Sequence, residues 1–291
     1  MSFFIPIKYG ARNYPSEINA SIQEIAAHFD KVEIKPKSKY SLHTEYSFGK
    51  RKFNSNLIKK FIVLSKSHEN FVPKLWYSID WAKEFADFIV YLVGKNKPPK
   101  IIEIHPPFDD YCNSIIDFVK TYEIFEKRIL NAFPDVEILI EHRTGTIYKG
   151  GKFLISTCED LLVLQKMIIS KNLRLRIVLD FPQLFTSYHL STGRFSKEKI
   201  LSIIQSISGF KKSIRSIHLW GKKYYGKRLI SHMGNLDTYF GNKELKNIFL
   251  EEIFKLLNDG EKRFFVPEIN STDDDLKLII KDLKKVGFIF V

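Results

Sequence analysis

Short apolar runs alternate with longer amphipathic stretches along most of the chain, and the later apolar runs stop at a ligand-type polar residue. The run at 136–140 ends at Glu141, the one at 101–104 at His105, 176–179 at Asp180, 214–217 at His218 and 264–267 at Glu268. Short continuous apolar segments bounded by polar turns mark strands buried on both faces, as in a parallel sheet. Between them, apolar positions at helical period predict helices over 111–131, 157–170, 196–207, 243–257 and 273–285.

The first hundred residues are less regular. Residues 3–9 predict a strand and 10–15 a loop, and Ser16 is placed to cap an amphipathic helix with Ile18, Ile22, Ile25 and Ala26 inward. Residues 31–35 read as a second strand. The segment opened by Pro36 is too short for a helix, so the next strand, 40–46 with His43 inside it, follows almost directly. Helices are expected near 55–65 and 80–92, separated by a Pro-containing segment that reads as an insertion or a lid.

Eight strands in alternation with helices describe a parallel sheet, either closed as a barrel or open and doubly wound. The number eight, and ligand-type residues spread over most strand ends, favour the α/β class with a (β/α)8 TIM barrel. The expectation is one domain over 1–291, with an irregular region between strands 2 and 3 and a helical insertion before the strand ending at His105.

In such a barrel the C-terminal ends of all strands line one mouth. His43, His105, Glu141, Asp180, His218 and Glu268 would then converge. Imidazoles with carboxylates suit zinc, manganese or ferrous iron. Cys112 and Cys158 are the only cysteines, so neither a disulfide framework nor a cysteine-based zinc module is available. Six ligand groups exceed the need of one tetrahedral ion. They leave room for two divalent ions sharing a carboxylate, an arrangement that activates water and clamps a phosphoester.

Charge and loop composition extend this picture. The formal charge of +13 favours an anionic partner, nucleic acid or a phosphorylated small molecule, although a chain rich throughout in Lys, Ile, Asn and Phe becomes basic by composition as well. The loop after His218 carries Trp220, Lys222, Lys223, Tyr224, Tyr225, Lys227 and Arg228. Cations interleaved with aromatics can grip phosphates and stack bases; the alternative is solvated charge with Trp220 packed as a lid. Lysines at 35–39 and Lys50, Arg51 and Lys52 would widen the basic surface. Charge close to the start argues against a signal peptide, and no apolar run spans a bilayer, so a cytoplasmic protein without a membrane partner is expected. Oligomeric state is left open.

Taken in order, His43-Thr-Glu-Tyr46, His105-Pro106, Glu141-His-Arg-Thr-Gly145, Asp180, His218 and Glu268 resemble the xylose isomerase-like barrel superfamily, and within it the endonuclease IV branch (AP endonuclease family 2), over nearly the whole chain. The resemblance implies a metal-dependent phosphoester hydrolase acting on nucleic acid or a nucleotide through two ions. Glu141 would bridge them, His43 and His105 would complete one, and Asp180, His218 and Glu268 the other. Glu141 and Glu268 would be catalytic, with Lys222 and His232 against developing charge or the leaving oxygen. Substrate contacts fall to Tyr46, Arg143, Gln183, Trp220, Lys222, Lys223 and His232.

The chain departs from that branch where a third zinc is held. Gln183 stands at one histidine position, and Ile230 stands two before His232 where an aspartate belongs. One ligand of three survives, so a third ion requires Asp237 to move in. Sugar isomerases and epimerases of the same superfamily use only the Glu141, Asp180, His218 and Glu268 subset around one ion, with the glutamates moving protons. That alternative leaves His43 and His105 without a task.

Overall fold

The computed structural model describes residues 1–46, 51–69 and 72–291. Eight strands, β1 (Ser2–Lys8), β2 (Ile22–Ala27), β3 (Lys39–Thr44), β4 (Ile101–Ile104), β5 (Glu137–Glu141), β6 (Arg176–Asp180), β7 (Ile214–His218) and β8 (Lys262–Val266), pair in chain order into one parallel sheet. The pairing of β8 with β1 closes it, which makes a (β/α)8 barrel with helices between strands. Closure explains the apolar runs: all of β4 is buried, so no residue in it faces water. Helix starts are fixed by small polar caps. Ser78, Ser114, Thr157, Ser196 and Thr272 each accept a hydrogen bond from a backbone N–H of the first turn.

The regular part of the chain matches the periodicity closely, with helices at Cys158–Ser170, Lys197–Ile207, Lys243–Leu257 and Asp273–Val286. The helix expected from 111 begins later, at Ile115–Ala132, because Ser114 and not an earlier residue caps it. The N-terminal part needs three corrections. The helix expected after Ser16 is instead strand β2. Ile22 lies opposite Ile7 and Gln23 opposite Lys8 in a parallel ladder, and the preceding thirteen residues, with their Gly, Asn and Pro, form turns. Isoleucines at 18, 22 and 25 satisfy helical spacing, but β-branched residues pack at least as well in a strand. Residues 31–35 are irregular, held by the buried Ile34, so the second barrel strand lies earlier than its expected place. The helix expected near 55–65 is reduced to a 3₁₀ turn at Ser55–Leu57 and a single α turn at Ile62–Ser65.

By contact density the chain separates into two compact units, residues 24–177 and residues 1–23 with 178–291. In the first, Trp76 and Trp81 are fully buried; Trp76 packs edge-on to Phe85, Phe118 and Phe125, and Trp81 lies tilted against Phe85 at 4.7 Å. The segment expected as an insertion or lid therefore contributes Val72, Leu75, Trp76 and Trp81 to the core, while Tyr77 and Ile79 are exposed; Phe71 lies outside the described residues. Trp76 adopts a left-handed φ of 61°, costly for a bulky side chain, and its indole N–H donates to the backbone carbonyl of His105 at 2.7 Å.

In the second unit, a ninth strand, β9 (Phe288–Phe290), pairs with β1 on the edge opposite β8, and Phe288 stacks on Phe4 at 4.5 Å. It was not visible as a periodic segment because it is only three residues long. No helix among the described residues is long and apolar enough to cross a membrane.

Trp76→Ala is expected to lower unfolding free energy by about 3–5 kcal/mol, as for other buried aromatics. Urea denaturation followed by circular dichroism checks this; a loss below about 1 kcal/mol would show that the segment does not belong to the core.

Candidate metal centre

The first cluster lies in the unit of residues 24–177 and is built by three neighbouring strands. His43 on β3 is in register with Glu103 on β4, and Glu103 and His105 are two residues apart, so their side chains leave the same face. Glu141 ends β5, the next strand. Ligand atoms of His43, Glu103, His105 and Glu141 all lie within 4.8 Å of one another. His43 Nε2 is 3.6 Å from Glu103 Oε1 and 3.9 Å from Glu141 Oε2, and Arg143 Nη1 is 3.3 Å from that same Glu141 oxygen.

His105 has both ring nitrogens committed. Nδ1 lies 3.2 Å from the carbonyl oxygen of Glu45, which can only accept, so Nδ1 carries a proton and donates it. Nε2 then faces Glu141 Oε2 at 2.9 Å. Two lone pairs at that distance repel unless a proton or a cation lies between them. A histidine whose second nitrogen is tied to a backbone carbonyl is the usual arrangement for a metal ligand. The donor set of two imidazoles and two carboxylates, buried with one guanidinium, fits a divalent ion of the zinc, manganese or iron(II) type.

Glu103 was not anticipated. Its signal was the spacing of two from His105 within a strand, read only as strand interior.

Tyr46 stands against this cluster, its ring 5.5 Å from those of both His43 and His105. The guanidiniums of Arg51 and Arg143 lie 4.4 and 5.4 Å from its centroid. Arg51 does not widen a basic surface as expected, because it turns inward to Glu45 at 2.8 Å, and Lys35 pairs with Glu33 at 2.7 Å. Lys50 lies outside the described residues. His28 follows directly on β2, edge-on to His43 at 5.8 Å and to Tyr46 at 5.5 Å. Burial pushes its imidazole down to about 4, with the Glu45 charge opposing.

The second cluster lies in the other unit. Asp180 ends β6 and caps the helix Phe181–Ser187. It accepts from Gln183 N at 2.8 Å, Gln183 Nε2 at 2.9 Å and Trp220 Nε1 at 2.9 Å. His218, the last residue of β7, has Nδ1 3.3 Å from Glu268 Oε1; Glu268 sits two residues beyond β8. Asp180, His218 and Glu268 are buried, with ligand atoms within 4.8 Å of one another.

His232 donates Nδ1–H to the Glu268 carbonyl at 3.1 Å and stacks on Trp220 at 4.1 Å between centroids. Its loop is brought in by Gly221, where a Cβ would lie 2.6 Å from the Asn235 backbone. Lys222 is buried and donates to Thr186 Oγ1 at 3.1 Å; desolvation lowers its pKa and the Asp180 charge opposes this.

Lys223 instead lies exposed on the hairpin Lys222–Tyr225 and Arg228–Ser231, away from the buried groups. The third-ion set finds no replacement: Gln183 braces Asp180, Ile230 is exposed, and Asp237 is paired with Lys246 at 2.7 Å.

The buried neutral His28 gives a pH signature. Its folded pKa of about 4 lies below the ordinary 6.5, so between those values the unfolded chain binds a proton that the folded chain refuses. Stability therefore falls as pH drops from 6.5 to 4, and His28→Phe should flatten that slope by on the order of 2 kcal/mol in metal-free protein. Urea midpoints at both pH values check it; an unchanged slope would place His28 in contact with water.

No family model matches the chain, and no curated protein matches it. Among solved structures it is similar to one titled "The crystal structure of AsfvAP:AG", 12% identical over 86% of each chain with a TM-score of 0.46. It is similar to the GH53 catalytic domain of Ignisphaera aggregans, 10% identical over 78% of this chain and 62% of that one, with a TM-score of 0.41. A third is a GH10 xylanase of Thermobacillus composti, 12% identical over 69% of this chain and 61% of that one, with a TM-score of 0.37.

Proposed function

We propose that this chain is a single-domain, metal-dependent phosphoester hydrolase of the endonuclease IV-like type, acting on nucleic acid or a nucleotide with two divalent ions. The observation that carries this reading is the cluster of His43, Glu103, His105 and Glu141, which exists in addition to Asp180, His218 and Glu268. A single-ion sugar isomerase needs only the second set with Glu141. It gives no reason for His105 to be held by Glu45 at one nitrogen and aimed at Glu141 with the other.

In this reading His43, Glu103, His105 and Glu141 hold one ion and Asp180, His218 and Glu268 the other, with the bridging role of Glu141 taken from the resemblance. Bound divalent ions supply Lewis acidity, which makes water a nucleophile near neutral pH and neutralises phosphate oxygens. The chain's own residues do the rest. Glu141 orients the attacking water, and Arg143 beside it offsets the negative charge of the substrate. Gln183 and the Trp220 indole fix Asp180 by directed hydrogen bonds. His232 gives Nδ1–H to the Glu268 carbonyl and is stacked on Trp220, so only the doubly protonated ring would offer Nε2–H to the leaving oxygen. Tyr46 contacts the substrate beyond the reacting phosphate.

Metal analysis of protein purified without chelator should give two equivalents. His105→Ala should lose one of them and reduce phosphoesterase kcat/KM by roughly 100-fold or more. One equivalent in the parent protein, with sugar epimerisation that survives His105→Ala, would replace this reading with the isomerase.

A further inference from the structure

Three basic side chains of the described residues are buried, and two of them are neutralised in the ordinary way. Lys246, 6% exposed, is clasped between Asp237 at 2.7 Å and Asp282 at 2.9 Å. Arg263, 2% exposed, meets both oxygens of Asp259 at 2.9 Å. Lys222, 7% exposed, differs. Among the described residues no carboxylate lies at ion-pair distance from its ammonium, and its one hydrogen bond goes to the Thr186 hydroxyl at 3.1 Å. Thr186 spends its own proton on the Pro182 carbonyl at 2.7 Å, so it serves Lys222 purely as an acceptor. An ammonium has three protons, and two of these remain.

Beside it stands a second buried donor. Tyr239 is fully buried and its hydroxyl has no hydrogen-bond partner among the described residues. The Lys222 ammonium lies 5.9 Å from the Tyr239 ring centroid and 5.5 Å from that of Trp220. Trp220, which the Lys222 ammonium faces, donates its indole N–H to Asp180 at 2.9 Å, so the pair adjoins the second cluster. A buried cation without a counter-ion and a buried phenol without an acceptor are each costly alone. One oxyanion offered to both removes the two costs together.

We propose that Lys222 and Tyr239 form an oxyanion subsite for a phosphoryl group of the substrate, with Thr186 anchoring the ammonium and Trp220 forming one wall. The subsite is built from side chains alone and needs no ion. The choice of phosphoryl over carboxylate rests on the hydrolase reading. Its position beside Asp180 fits a phosphate that is bound and not cleaved, such as a flanking phosphate of a nucleic acid, or the terminal one of a nucleotide.

The test uses the full chain stripped of metal and kept in chelator, titrated with inorganic phosphate by calorimetry and by ³¹P line broadening. Saturable binding is expected, about tenfold or more weaker in Lys222→Met and several-fold weaker in Tyr239→Phe. Lys277→Gln, at an exposed side chain paired with Asp274, should bind as the parent does. Near-UV circular dichroism confirms folding, and should Lys222→Met not fold, Tyr239→Phe, which removes a single oxygen, decides alone. Unchanged affinity in a folded variant, or no saturable binding in the parent, overturns the subsite. Acetate binding as tightly as phosphate overturns the phosphoryl assignment. Metal content is measured separately, on protein purified without chelator. Phosphate binding that depends on Lys222 in a protein without two metal equivalents would leave the subsite standing while the hydrolase reading falls, and the opposite pair of results would do the reverse.

Discussion

Burial of carboxylates at strand ends is the constraint to which the rest of the molecule answers. Glu103, Glu141, Asp180 and Glu268 are removed from water, and each ionised group so placed must be met by a proton, a dipole or a cation. The chain meets them differently. Asp180 receives three N–H donors from Gln183 and Trp220, a closed arrangement that holds the charge rigidly. Glu141 is faced by two imidazoles and one guanidinium. Asp180 is therefore oriented by its own surroundings, and Glu141 by groups that are themselves ligand types.

The outer supports follow from the same need. Glu45 turns its backbone carbonyl to His105 and its carboxylate to Arg51 and the Phe29 amide, so one residue orients an imidazole and terminates a network. Glu268 does the like for His232 through its carbonyl and for His218 through its carboxylate. In both units a histidine is aimed by a residue whose own side chain is an acid, and packing of Tyr46 and Trp220 keeps the rings from turning.

Much of this was readable from residue order. Of the five apolar runs that stop at a ligand-type residue, three do so where a barrel strand ends, at Glu141, Asp180 and His218, while His105 falls one residue beyond its strand and Glu268 two. The capped helices between them were equally plain. What failed were places where two periods fit the same residues. Isoleucines at 18, 22 and 25 have helical spacing, yet Ile18 lies in the turn before β2 and the other two lie within the strand, fixed by its ladder to β1; His28 was hidden with it. Glu103 was hidden by lying within a strand whose end had already drawn the eye to His105. The closeness of Lys222 to Thr186 and Tyr239 depends on three separate segments, which no local pattern records.

Trp76 links the aromatic core of residues 24–177 to this chemistry. Its indole hydrogen bonds to the carbonyl of the very residue whose ring faces Glu141, and it is clamped by Phe85, Phe118 and Phe125 against relaxing independently. Displacing the His105 backbone would therefore mean moving a packed indole as well, so the position of that imidazole is tied to the aromatic core.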